Sequence, residues 1–295
     1  MSEFSDQWLA LREPADAAAR ADDLAVQLGK LPAAVGGTLE VLDLGCGTGA
    51  NLRHLAPQLG AAGHARQRWI CVDHDPALLA RLPTRTRAWA DAQGLDCAAA
   101  GAGLQVRAEH WEAHLTWARK DLATGPDGLR LPRGGLVTAA ALLDLVSRRW
   151  LDALLRRCRA GGCALLFALS YDGRARLTPV HRDDAAVIAL VNRHQRTDKG
   201  FGPALGPDAA GTAAHRCGAL GYRVRAMPSD WHVGPGMAGL QRALLAGWRD
   251  AAARMAAADA GAPAWLDDWH AARLASVDAG ASALLVGHMD LLALP

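Results

Sequence analysis

The chain has no apolar stretch long enough to span a bilayer, no CxxC pair, almost no lysine and no marked excess of charge of either sign. Each absence removes a class of function. A membrane-spanning helix needs roughly 20 consecutive apolar residues, so no membrane role is expected. The first residues lack the apolar core of a secretory signal, and a cytoplasmic protein is expected. The six cysteines (Cys46, Cys71, Cys97, Cys158, Cys163, Cys217) are scattered, several in apolar runs where Cys behaves as a small hydrophobe. Reduced thiols are expected, with neither a disulfide framework nor a metal site. Basic and acidic residues number 32 and 30, a formal charge of +2. That is too little for a nucleic-acid-coating surface, which draws phosphates by a strong basic excess. Arginine outnumbers lysine 29 to 3 beside abundant alanine, the mark of codon bias in a GC-rich genome.

What is present is core material. Apolar residues make up 51% of 295, enough for one α/β domain carrying insertions over 1–295. Residues 6–28 read as helix, with Pro14 breaking it or starting a second one, inside an N-terminal helical segment 1–36. Residues 38–44 (TLEVLDL) read as a buried strand that runs into Gly45-Cys46-Gly47-Thr48-Gly49 and then a helix. Strand, glycine turn, helix is the opening unit of a doubly wound sheet. Further strands are expected at 68–73, 114–121, 135–140, 163–170, 222–227 and 283–292. Asp75 is placed to cap a helix beginning at Pro76. Residues 89–112 are ambiguous, with a loop inside them. Residues 171–206 read as a polar, irregular insertion on the substrate side, and 239–275 as a helical one. The expected fold class is therefore α/β, a doubly wound, mostly parallel seven-stranded sheet with helical insertions.

A glycine turn between strand and helix brings backbone N–H groups close to a ligand. Gly45, Gly47 and Ala50 also satisfy the dinucleotide pattern G-x-G-x-x-G/A, so the turn alone does not choose between nucleotides. Asp73, closing the second strand, suits the ribose hydroxyls of NAD or of S-adenosylmethionine. Asp43, two residues before the first glycine, suits an ammonium-bearing ligand and would repel pyrophosphate. Asp121, in the context KDL, offers a carboxylate and an adjacent N–H to an adenine edge. The chain also closes in strands with helices between them, not in a second βαβ half.

With these residues in view, VLDLGCGTGANLRHLAP and WICVDHDPALLARL resemble the first two motifs of class I S-adenosylmethionine-dependent methyltransferases. ARKDLATG and GLVTAAALLDLVS stand at the family's third and fourth strand ends, so the resemblance covers about 39–170. It implies a Rossmann-like methyltransferase fold and S-adenosyl-L-methionine as cofactor. Asp43, Gly45, Gly47, Gly49 and Asn51 would line the methionine and ribose portion. Asp73 would bind the ribose hydroxyls, His74 would flank adenine, and Asp121 with Leu122 would read its edge. Many members carry a polar residue where this chain has Ala139 and Ala140. Ala139 is expected against the cofactor, whose carboxylate is therefore expected at Arg12 or Arg20.

In such sheets ligands sit beyond the carboxyl ends of the strands. Methyl transfer is a displacement in which positioning matters most, and a base is needed only when the acceptor loses a proton. Asp144, His194 and Asp172 are the candidate bases. Tyr171, Asp172, Asn192 and Trp231 are the candidate substrate contacts, Trp231 as a stacking surface. A small-molecule acceptor at oxygen or nitrogen is expected, without nucleic acid. A non-catalytic cofactor binder on the same fold and an NAD(P)-dependent oxidoreductase are the alternatives. Leu240, Leu244, Leu245 and Trp248 recur at helical spacing, so their face packs in the core or forms a lid or a homodimer surface.

Overall fold

In the computed structural model, which describes residues 5–31, 37–257 and 264–295, the glycine turn sits at the centre of a ten-stranded sheet. In chain order come α1 (Asp6–Ala19), α2 (Asp22–Gln27), β1 (Thr38–Leu44), α3 (Ala50–Ala61), β2 (Arg66–Asp73) and α4 (Pro76–Ala92). Then follow β3 (Asp96–Ala100), β4 (Gly103–Arg107), β5 (Glu112–Arg119), β6 (Leu136–Ala140), α5 (Arg148–Ala160) and β7 (Ala164–Thr178). The last third holds α6 (Asp184–Gln195), α7 (Ala209–Ala219), β8 (Arg223–Pro228), β9 (Trp231–Val233), α8 (Ala238–Ala257), α9 (Trp265–Asp278) and β10 (Ala283–Leu294).

The sheet order is β3-β4-β5-β2-β1-β6-β7-β10-β8, with β9 also on β10. Strands β5, β2, β1, β6 and β7 are parallel, and β10 runs antiparallel between β7 and β8. From β1 the chain crosses to β2 on one side, whereas β6 lies on the other. The crevice between the ends of β1 and β6 is thus the point where strand order reverses, the place such sheets offer a ligand.

Both faces of the sheet are buried, as parallel sheets require. Along β1, Leu39 and Val41 join the cluster under α3 and α4, while Leu42 and Leu44 join the cluster under α5 and α7. On α5, Leu151, Leu154 and Leu155 recur at helical spacing and are fully buried. Each such leucine contributes about 1.5–3 kcal/mol relative to an exposed one. A third cluster joins α1, α6, α8 and α9 to the far half of β7, to β9 and to the start of β10. It stands over the carboxyl ends of β6 and β7.

Several expectations are corrected. The sheet has ten strands, not seven. The seven expected ones are present, and the additions are β9 and the β3–β4 hairpin inside the ambiguous stretch 89–112. Strand β3 is DCAAA, mostly exposed and without β-branched residues, so it carried no strand signal. Pro14 neither breaks α1 nor begins another helix; α1 runs through it to Ala19. The flanking Arg12 and Ala15 are buried, and that packing outweighs one lost backbone bond. Residues 171–206 are not irregular: β7 continues to Thr178 and α6 fills Asp184–Gln195. The helical insertion begins at Ala238 and reaches Asp278, with 258–263 outside the described residues. Leu240, Leu244, Leu245 and Trp248 pack in the third cluster. No helix among the described residues is long and apolar enough to cross a membrane.

Candidate active site

Strand β1 delivers the chain into a turn that only glycine fits well. Gly47 has φ +52°, and a Cβ there would lie 2.9 Å from Leu9 Cδ1 of α1. The Gly47 N–H donates to Asp73 Oδ2 at 2.8 Å, and the Asp75 N–H donates to Asp73 Oδ1 at 2.9 Å. A carboxylate oxygen has two lone pairs, so both oxygens can still accept from ligand hydroxyls.

Around this turn lies a cavity of about 450 Å³. Gly45, Cys46, Gly47 and Thr48 line one side, with Asp73, His74 and Leu78 beyond them. Asp121, Leu122 and Ala123 close one end, and Ala140, Ala141 and Leu142 follow β6. Asp121 accepts from the Ala123 N–H at 2.9 Å, and Trp150 Nε1 fixes the Leu122 carbonyl at 2.7 Å. Leu9, Arg12 and Asp16 of α1 cover the cavity together with Lys199, Gly200 and Phe201, whose ring meets Trp150 edge-on.

Asn51 also lines this cavity and ties it to a buried network. Its Nδ2 donates to Asp43 Oδ1 at 2.7 Å, and its Oδ1 accepts from Arg20 at 2.9 Å. Arg20 in turn lies 3.4 Å from Asp290, which accepts the N–H groups of Ala21 and Leu169. This network seats the N-terminal helices on the sheet. Asp43 therefore lies behind the wall, 1% exposed, and its Oδ2 has no partner. Burial pushes its carboxyl up to about 7. Two further expectations are corrected by position. Gly49 opens α3, where a Cβ would meet Leu82 and Arg53 instead of the cavity. Ala139 points into the core under α5, leaving Ala140 and Ala141 at the cavity.

A second cavity of about 510 Å³ adjoins the first, and Arg12, Ala141, Leu145 and Lys199 line both. Of the residues expected near a substrate, Asp144, His194, Tyr171 and Trp231 line it. Asp144 is 7% exposed, its Oδ1 has no partner, and burial raises its carboxyl to about 6. Arg12 pairs with Asp16 at 2.8 Å and lies 5.1 Å over the Trp231 ring. Asp172 does not reach the cavity: it binds Arg174 at 2.7 Å on the opposite face of β7 from Tyr171. Asn192 stands one layer back, accepting from the Tyr171 hydroxyl at 2.8 Å and donating to the Gly173 carbonyl at 3.0 Å.

Two non-glycine residues have left-handed backbone, Ala141 (φ 51°) and Leu169 (φ 54°). Ala141 follows β6, Leu169 lies within β7 one residue past its last pair with β6, and both line the second cavity. Such strain persists where surrounding structure over-determines it, and it concentrates at functional sites. Among the described residues no cluster of three metal-ligating side chains occurs.

The sequence reading missed Trp8 and His288, and held Lys199 only as one member of the substrate-side insertion. His288 is 6% exposed, and its Nδ1 donates to the Val286 carbonyl at 3.0 Å, leaving a lone pair on Nε2. Burial, then Arg12, push its pKa down to about 3, so the ring is neutral. It owes its aim to a bulge: the pairing of β10 with β7 shifts between Val286 and His288. Gly287 makes the bulge possible, because a Cβ there would lie 2.2 Å from Asp172 Oδ1. A glycine inside an apolar strand, as in LLVGHMD, was the available signal.

No protein-family model matches the chain, and no curated protein matches it. Solved structures do. The YcgJ protein of Bacillus subtilis is 12% identical, covering 92% of this chain and 97% of its own, with a TM-score of 0.44. A cyclopropane-fatty-acyl-phospholipid synthase-like protein of Lactobacillus casei is 13% identical over 92% and 90%, with a TM-score of 0.46. Geranyl diphosphate C-methyltransferase of Streptomyces coelicolor, solved with S-adenosyl-L-homocysteine, is 10% identical over 92% and 80%, with a TM-score of 0.42.

Proposed function

We propose that this protein is an S-adenosylmethionine-dependent methyltransferase that modifies an oxygen or nitrogen of a small molecule held in the second cavity. The observation that carries the reading is the acid-edged glycine crevice at the strand-order reversal. Asp73 and Asp121 line it and Asp43 backs it. Such a set of acidic acceptors fits ribose hydroxyls, an adenine edge and a cationic sulfonium ligand, and it opposes a pyrophosphate. Asp73 would hold the ribose, His74 and Leu122 would flank adenine, and Asn51 would meet the amino-acid end. Arg12 and Lys199, on the covering side, would face the cofactor carboxylate.

Bound there, the cofactor supplies a methyl group that is released to the acceptor as the carbon–sulfur electrons return to sulfur. The remaining steps belong to the chain. The shared wall of Arg12, Ala141, Leu145 and Lys199 sets the acceptor beside the cofactor, and orientation is the main source of rate. Asp144 takes the acceptor's proton, being a carboxylate raised by burial to about 6 and thus ionised yet basic near neutrality. The covering α1 and the loop at Lys199–Phe201 exclude water. Incubation with labelled S-adenosylmethionine and a metabolite extract tests the reading: label in a small molecule is expected. Cofactor binding without transfer would favour a non-catalytic binder, and NADH binding in its place would overturn the assignment.

A further inference from the structure

The outer surface of α5 carries a charge that the whole chain does not share. Trp150, Leu151, Leu154, Leu155 and Cys158 form its buried side. At 3.6 residues per turn, Arg148, Arg149, Asp152, Arg156 and Arg159 then fall within about 100° of arc on the opposite side. Segment 126–133 flanks α5 on one side, where Arg157 donates to the Leu129 carbonyl at 2.9 Å, and it adds Arg130 and Arg133. Helix α7 flanks α5 on the other. There Arg216 pairs with Asp152 at 2.6 Å, and Arg159 donates to the Leu220 carbonyl at 2.9 Å.

These three elements hold eight arginines against Asp127 and Asp152, a formal surplus of six on a chain whose total is +2. Codon bias raises arginine everywhere, but it does not thin the acids from one face. Arg130, Arg133, Arg148, Arg149 and Arg156 are exposed, and none has an acidic partner among the described residues. The stripe runs along the ridge of a helix and not into a cleft, which suits a macromolecular surface better than a small anion.

Its spacing narrows the kind of surface. Arg149 and Arg156 stand seven residues apart, two turns or about 10 Å along the axis. Seven residues is the interval at which a second helix lying alongside returns to the same seam. The one aromatic residue of α5, Trp150, is buried and α7 has none, so neither helix offers a ring on which a base could stack.

We propose that the α5 face docks an acidic helix of a partner protein, whose carboxylates at seven-residue spacing meet Arg149 and Arg156. A guanidinium matches a carboxylate with two parallel N–H donors, which gives such a contact direction as well as charge. The stripe begins just after Ala141 and Leu145, which line both cavities, so the partner would sit beside the rim of the site. The docking rests on this face alone and stands apart from the methyltransferase reading.

Fluorescence anisotropy at low salt tests this with four labelled probes. These are an acidic helix-forming peptide of about 21 residues with Glu at seven-residue spacing, its proline-broken version, an RNA duplex of about 20 base pairs, and phosphatidylglycerol vesicles. The helical peptide is expected to bind about tenfold more tightly than the proline-broken one. Arg149→Glu with Arg156→Glu should weaken it by about tenfold, and a peptide with Lys in place of those Glu residues should bind that variant instead. Arg81→Glu with Arg87→Glu makes the same charge change at exposed positions of α4, across the sheet, and should leave binding nearly unchanged. Circular dichroism reports the folding of both variants. Equal weakening by the two variants would mean net charge alone and overturn the proposal. Tighter binding of the duplex or the vesicles than of the helical peptide would overturn it too, as would no peptide binding at all.

Discussion

The N–H of Gly47 donates to Asp73 Oδ2 at 2.8 Å, so the glycine turn after β1 and the acid closing β2 form one unit. Asp73→Ala therefore loses a ligand acceptor and an anchor of the turn together. S-adenosylhomocysteine affinity should fall by about 1.5–3 kcal/mol, the range for hydrogen bonds to a charged group. Calorimetry reads it directly. Wild-type affinity in a folded variant would remove Asp73 from the site.

Asp144 should set the acid limb of activity. Its carboxyl is raised to about 6 by burial, and only the ionised form accepts a proton. The rate kcat/KM should be level at neutral pH and fall about tenfold per unit below that value. Asp144→Asn should abolish transfer while leaving S-adenosylhomocysteine binding intact. A flat wild-type profile across the region near pH 6 would mean that Asp144 is not the base.

Asp43 links pH to stability. Its folded pKa, about 7, lies above the ordinary carboxylate value of 3.8. Between these two values the folded state binds more protons than the unfolded state. Asp43 therefore lowers stability as pH rises through that window. His54, lowered to about 4, and His288, lowered to about 3, act in the opposite sense below their ordinary 6.5. The difference between Asp43→Asn and wild type isolates the carboxyl. Urea melts should show the variant gaining on wild type as pH rises from about 4 to about 7. A pH-independent difference would mean that Asp43 does not titrate in the folded protein.

Gly287 controls the aim of His288. In Gly287→Ala the new Cβ would fall 2.2 Å from Asp172 Oδ1, so the bulge or the Asp172–Arg174 pair must shift. The acceptor KM should rise severalfold while S-adenosylhomocysteine affinity stays at its wild-type value. The two measurements separate a local shift of β10 from general destabilisation, which would move both. An unchanged KM would take His288 out of the acceptor site.

Local pattern determined the first half of the site. Residues 38–49 are a strand, a glycine turn and a helix start in one continuous stretch, and Asp73 and Asp121 follow strands whose ends must share one edge of a parallel sheet. Chain chemistry and crossover handedness suffice for that inference. The rest depended on contacts the sequence does not contain. Tyr171 and Asp172 are neighbours on one strand, so they face opposite ways, and only the packing of α6 and α8 decides which one meets the cavity. Trp8, Trp248 and His288 come from opposite ends of the chain, and no local spacing relates them. Gly49 and Ala139 sit inside the right motifs, yet Leu82 and the α5 core claim them. Strand period and turn chemistry act over a few residues and can be read in order. A cavity is what remains after distant helices have buried their apolar faces, so its lining was decided only by tertiary structure.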